Sequence, residues 1–193
     1  PYVAFLDADS EPPSTWSRDM ELNMEKWSSG VARDLPCEGA IPVAGITSSC
    51  VSSELTPISL IMKVGSPNHA RVIEEVTPLT SIPGYNSVYY RKAIEEVGGF
   101  DESIGGCEDY ELNKRLLEAG YTLLGVPESP VIHHERRTLG AFSKQIYGYG
   151  WSRGRLLRVK RIFTFIHMIP SLMLFLATFI LYWGIGYLRG VLG

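Results

Sequence analysis

Three short groupings of acids and histidines hold most of the reactive chemistry in this sequence. Asp7-Ala8-Asp9 closes an apolar run, Tyr2–Leu6. Ligands of α/β sheets collect beyond the carboxyl ends of the strands, which is where this pair falls. Two hard carboxylate donors there suit Mg2+ or Mn2+ bridging to a diphosphate. A bare D-x-D is equally the pattern of a solvated turn or of an acidic helix start. Glu108-Asp109 opens a helix, where the positive end of the macrodipole favours carboxylates. The Gly98-Gly99-Phe100-Asp101-Glu102 and Gly105-Gly106 approach to it exposes more backbone than a helix start requires. His133-His134-Glu135 lacks the H-E-x-x-H spacing of zinc proteases, and adjacent histidines on a strand point to opposite faces, so at most one would face a metal. Arg136 and Arg137 follow and suit a phosphate or an anionic lipid headgroup. Cys107 has no basic neighbour in sequence to activate it and reads as a small packing residue.

The elements that must position these groups are legible from periodicity. Tyr2–Leu6 is near-continuously apolar, as expected of a strand buried on both faces of a parallel sheet. A lone parallel strand cannot begin a sheet, so the sequence reads as lacking an upstream part. After Glu11-Pro12-Pro13, Ser14 or Thr15 can cap a helix running to about Trp27, with Trp16, Met20, Met24 and Trp27 on one face. Gly30–Gly39 reads as loop, Ile41–Thr47 and Ile58–Val64 as short strands, and Gly65–Pro83, with three prolines, as extended chain. Asn86–Tyr90 leads into a helix, Arg91–Val97, closed by Gly98-Gly99. A second helix runs from about Glu108 to Ala119 with Tyr110, Leu112, Leu116 and Leu117 on its apolar side. Tyr121–Val126 then returns as a strand, and Pro127 and Pro130 bracket a bend into Val131–Glu135.

The charge is divided. All 21 acids lie in residues 1–135, with nine Lys/Arg, whereas 136–193 hold nine Lys/Arg and no acid. At 193 residues, 45% hydrophobic and 20% charged, the chain is not disordered, collagenous or disulfide-stapled. No nucleic-acid partner is expected. Ile162–Leu188 is 27 residues without a charge, ample at ~1.5 Å per residue for a ~30 Å hydrocarbon core. Arg153, Arg155, Arg158, Lys160 and Arg161 precede it and Arg189 alone follows, so the positive-inside rule places the acidic part in the cytoplasm, on the inner face of a cell membrane. Thr138–Leu157, with Phe142, Tyr147, Tyr149 and Trp151, reads as an amphipathic stretch pressed on that membrane. Three cysteines without a C-x-x-C spacing fit a reducing compartment. The expected organisation is a catalytic part over 1–137, a basic juxtamembrane segment over 138–161 and a transmembrane helix over 162–188.

Taken in order, FLDADSEP, NSVYYRKAIEEVGGFDES, GGCEDYELNKRLLEAGY and VIHHERR resemble the carboxy-terminal half of a family 2 glycosyltransferase. The likeness runs from Pro1 to about Arg155, and order and spacing carry it rather than any single motif. It implies an α/β fold: an incomplete GT-A domain (Rossmann-like, of the nucleotide-diphospho-sugar transferase type), followed here by the transmembrane helix read from the apolar stretch. It further implies that Asp7 and Asp9 hold Mn2+ or Mg2+ on a nucleotide diphosphate, and Arg136, read above as a phosphate-binding candidate, would join that site. Asp109 would be the catalytic base, Glu108 would help place the acceptor, and His133 or His134 would be a further metal or phosphate contact. The implied activity is that of a membrane-anchored, metal-dependent inverting glycosyltransferase. It would use a nucleotide-diphosphate sugar donor, and the membrane reading adds contact with membrane lipids and favours a lipid-linked acceptor such as a polyprenyl phosphate. Two departures stand out. The family's amino-terminal βαβ half is absent from these residues, and in place of Q-x-x-R-W, Gln145 is followed by Gly148-Tyr149, which disfavours processive synthesis. The alternatives are a catalytically incomplete, membrane-tethered remnant and a haloacid-dehalogenase-type phosphatase, in which Asp7 would be the nucleophile and Asp9 the acid/base.

Overall fold

The computed structural model describes residues 2–28, 42–54, 72–134, 136, 138–162 and 169–192. The expected Gly30–Gly39 loop and Ile58–Val64 strand, together with Glu135 and Arg137, lie outside the described residues, as do 163–168 of the expected transmembrane stretch.

The helix marked by Trp16, Met20, Met24 and Trp27 is α1, Trp16–Ser28. All four side chains are buried, and they pack on Val43, Ile46, Val88, Leu124, Val126 and Val131 of the sheet. Each such side chain contributes roughly 1.5–3 kcal/mol on burial. The sheet has six described strands: β1 Tyr2–Leu6, β2 Ser10–Glu11, β3 Val43–Ser52, β4 Thr77–Leu79, β5 Asn86–Tyr90 and β6 Thr122–His133. Their order is β1-β5-β3-β6-β2, with β4 also on β6. β3 and β6 are parallel, and every other pairing is antiparallel.

This corrects the reading of the opening strand. Among the described residues β1 lies at one end of the sheet, hydrogen-bonded antiparallel to β5, and is only partly buried. An apolar run reports that a strand is covered somewhere; it does not report the direction of its neighbour. Because β5 opposes both β1 and β3, the strands β1, β3 and β6 still point the same way. Their carboxyl ends therefore share one edge of the sheet.

The opposite face is covered by α2, Arg91–Glu96, and α3, Glu108–Glu118. Ala93, Ile94, Leu112 and Leu116 pack there on Ala44, Ile82, Tyr89 and Leu123. Gly45 is required for this packing, since a β-carbon on it would lie 2.7 Å from the Tyr89 ring. That ring reaches across to donate its hydroxyl to Asn113 Oδ1 at 2.8 Å. Pro127 and Pro130 do not break β6 as expected. They sit in a bulge, with Ser129 at φ 53 and a register shift between Ser48 and Cys50 of β3, so the strand continues to His133.

Among the described residues two helices follow β6. In α4, Leu139–Lys160, the Thr138 hydroxyl caps the start by accepting from the Ala141 amide at 3.2 Å. α5 is Ile169–Leu192. No helix among the described residues is long and apolar enough to cross a membrane; the expected span Ile162–Leu188 falls partly outside them.

Candidate active site

The two acids of the D-x-D grouping form the turn between β1 and β2. β1 ends at Leu6, paired with Asn86. The chain then crosses the carboxyl edge of the sheet, and β2 docks on the end of β6 with Ser10 opposite His133. The His134 amide donates to the Asp9 carbonyl at 2.9 Å, which secures the crossing. That register brings His133 Nε2 to 3.5 Å from Asp9 Oδ1 and Arg136 Nη1 to 3.3 Å from Asp9 Oδ2. Asp7, Asp9 and His133 each offer one ligand atom, all within 4.8 Å of one another.

The alternation expected of adjacent histidines is present. His133 is buried, and His134 turns out to Glu11, with Nε2 3.1 Å from Oε2. His134 thus lies outside the three-ligand group, as a strand's period of two requires once His133 faces inward.

The crowding of acids is electrostatically unfavourable. Partial burial first, and the Asp9 charge second, raise the Asp7 pKa. The charge of Asp109 adds to this rise, while His133 and Arg136 oppose it. The Asp109 carboxylate therefore acts on the same small volume as the D-x-D pair, although it belongs to α3. It sits at the second position of that helix, Oδ1 accepting from the Tyr110 amide at 2.7 Å and Oδ2 from the Gly84 amide at 3.1 Å. Glu108 is exposed at the first helical position. Cys107, the residue before it, is half-buried, and burial pushes its thiol pKa up, consistent with a packing role.

Several residues of this site do not stand out in the sequence. The Pro83–Asn86 turn contributes the Gly84 amide. It also contributes the Tyr85 carbonyl, which accepts from the Asp7 amide and from Ser10 Oγ. The Tyr85 ring lies against His133, with centroids 4.9 Å apart. Burial raises the Tyr85 hydroxyl pKa above the ordinary phenol range. Tyr149 on α4, read from sequence as a membrane-facing aromatic, lies close enough to Asp109 and Asp7 for both charges to act on it. Burial is the largest cause of its raised pKa, and its hydroxyl accepts from Gln145 Nε2 at 3.1 Å. A Pro-Gly dipeptide before a strand was the available signal for the turn; nothing local distinguishes Tyr149 from Tyr147.

An oxygen–oxygen–nitrogen ligand set beside a separate helix-borne carboxylate is what the four motif residues make together. Residues 48–192 match the model of the glycosyl transferase family group 2. The chain belongs to that family. The match includes Glu108-Asp109, His133 and α4, and begins after Asp7 and Asp9. Over 59 residues the chain is 37% identical to the succinoglycan biosynthesis protein ExoA of Rhizobium meliloti (strain 1021), covering 31% of this chain and 18% of that protein. A crystal structure of GalNAc-T7 with UDP, GalNAc and Mn2+ aligns over 70% of this chain and 28% of its own, at 16% identity and a TM-score of 0.47. The chain thus spans less than a third of either protein.

Proposed function

We propose that this chain carries the metal- and acceptor-side part of an inverting GT-A glycosyltransferase. It would move a sugar from a nucleotide-diphosphate donor to an acceptor hydroxyl. The observation that carries this reading is the convergence of Asp7, Asp9 and His133 within 4.8 Å next to the charge of Asp109. Two carboxylates and an imidazole fit a divalent cation of the Mn2+ or Mg2+ class. Bound there, such a cation would supply Lewis-acid neutralisation of a departing diphosphate.

The protein's own residues supply the rest. Asp109, whose carboxylate accepts from two backbone amides, would take the proton from an acceptor hydroxyl as that oxygen attacks the anomeric carbon. Arg136 adds a guanidinium beside Asp9, suited to a phosphate oxygen. Tyr85 covers His133, keeping the imidazole oriented and away from bulk water. Among the described residues, His133 and Arg136, and no lysine, are the basic groups that act on Asp7, so they lend the phosphatase alternative no support.

The membrane reading belongs to this proposal as well. It is supported by the uncharged sequence Ile162–Leu188 and by the exposure of Leu176, Ile180, Leu181, Trp183 and Ile185 on α5. Apolar side chains displayed in this way need a lipid or protein cover. A bilayer there would set the site near lipid-linked acceptors, with the acidic part on the cytoplasmic side.

The test is a Mn2+ titration followed by electron paramagnetic resonance, with UDP, GDP or dTDP present. One Mn2+ per chain, lost in the Asp7→Ala/Asp9→Ala variant, is expected. Undiminished Mn2+ affinity in that variant would overturn the reading. Cysteine-accessibility labelling should place Lys144 inside and Gly193 outside; equal labelling of both from one side removes the span.

A further inference from the structure

The start of α3 is poorly held by its own sequence. Its N-cap is Cys107, in the left-handed conformation at φ 60 and with no side-chain capping bond. Gly105 and Gly106 before it also have positive φ, 64 and 148. Three such residues in succession cannot join a helix or a strand, and a helix without a side-chain cap forgoes about 1 kcal/mol. Yet this start carries Asp109.

What holds it comes from α4. Lys160 forms an ion pair with Asp101 and reaches Glu111 Oε1 at 3.6 Å. Glu111, in the first turn of α3, is buried and gripped side-on by Nε and Nη2 of Arg115. Arg115 itself ties back to the Gly99 carbonyl at 2.7 Å. One turn and a half earlier on α4, Arg155 donates twice to the Ser103 carbonyl, at 2.7 and 3.2 Å. Arg153 lies over the Tyr110 ring, 4.6 Å from its centroid. Ser152 abuts Gly106 so closely that a β-carbon there would stand 2.3 Å from Ser152 Oγ. Trp151 covers Gly105. Five α4 residues thus contact the 101–111 segment.

We propose that Lys160 and Arg155 are positioning residues of the active site: they clamp the 101–107 loop onto α4 and thereby set the placement of Asp109. This inference rests on the glycosyltransferase reading above. It also divides a basic cluster that looks uniform in sequence. Lys160, Arg155 and Arg153 are committed to protein contacts, whereas Arg158 and Arg161 stay exposed and are the two available to anionic headgroups. The bonds from Lys160 and Ser103 hold the Asp101 carboxyl well below the usual carboxylate range.

The test uses the full chain and the variants Lys160→Met, Lys160→Arg and Arg158→Met, each normalised to Mn2+-titrated sites. Misplacement of a reacting group by about 1 Å can cost up to about 100-fold. Lys160→Met should therefore lower kcat ~10-fold or more while donor KM stays within about 2-fold. Lys160→Arg should restore most of the rate, and Arg158→Met should leave kcat unchanged. Amide hydrogen exchange over 101–108 should rise selectively in Lys160→Met, with α1 and β3 unaffected. An unchanged exchange rate there, or equal kcat losses in Lys160→Met and Arg158→Met, would overturn the inference. The exchange readout needs no turnover, so wild-type protein inactive with every donor would count against the enzymatic reading and leave the clamp to be judged by exchange.

Discussion

The backbone amide of Gly84 donates to Oδ2 of Asp109 at 3.1 Å. The carbonyl of the next residue, Tyr85, accepts from the Asp7 amide at 3.4 Å. A single turn therefore touches both acidic motifs and fixes their separation. A β-carbon on Gly84 would stand 3.7 Å from the Asp109 β-carbon, which is ordinary contact. Gly84→Ala keeps the amide and should be tolerated.

Asp109→Asn retains the shape of the side chain and one acceptor oxygen for the Gly84 amide, but removes the proton acceptor. Turnover should fall ~10²–10⁴-fold, the range of general base catalysis, with donor affinity within about 2-fold. Steady-state kinetics beside a donor titration would show it; retained turnover would remove Asp109 from the role of base.

His133 and His134 should separate cleanly. His133→Ala is expected to weaken Mn2+ binding ~10–100-fold. His134→Ala, whose imidazole pairs with Glu11, should change it by less than about 2-fold. Paired Mn2+ titrations decide between them, and equal losses would place the metal elsewhere.

Asp7 makes stability depend on pH in a direction unusual for a carboxylate. Its folded pKa is raised, so the folded state holds that proton more tightly than the unfolded chain. Stability from this group is complete below the ordinary pKa of 3.8 and is lost as pH rises through the folded value. Metal-free protein should therefore gain in Tm on Asp7→Asn at pH 7 and gain almost nothing at pH 4. Mn2+ should raise the wild-type Tm more at pH 7 than at pH 5, because it competes with that proton. A Tm gain from Asp7→Asn that is the same at both pH values would contradict the raised pKa.

Asn86 is fully buried, and its side chain joins three elements. It accepts from Trp16 Nε1 at 3.0 Å and donates to Ser48 Oγ at 2.9 Å and to the Ser48 carbonyl at 3.2 Å. Asn86→Ala leaves the indole N–H without its acceptor and opens a void, which together should cost about 2–4 kcal/mol. Denaturant titration would read it directly, and a loss below ~0.5 kcal/mol would mean that the network contributes little.

Local order was legible in the residues themselves. Trp16, Met20, Met24 and Trp27 recur at helical spacing, so their common burial follows from 3.6 residues per turn. The same holds for Leu112 and Leu116 on α3, and the opposite facing of His133 and His134 follows from the strand period. These are consequences of backbone geometry acting over a few residues, and no distant part of the chain can alter them. The D-x-D and E-D pairs were visible as chemistry on the same grounds.

Position relative to one another was decided only by tertiary structure. Nothing near Tyr2–Leu6 states that its hydrogen-bonded neighbour is an antiparallel strand, and nothing near Asp9 states that Ser10 will lie opposite His133. That register depends on backbone groups far apart in the chain finding each other, and a shift of one residue would have turned His134 inward instead. Charges behave likewise. In sequence Arg153, Arg155, Arg158, Lys160 and Arg161 are equivalent cations before an apolar stretch. In the fold, Lys160 reaches Asp101 and Arg155 reaches Ser103, because α4 lies along the loop ahead of Asp109. An ion pair is set by where two long side chains meet in space, and spacing along a single helix does not contain that information.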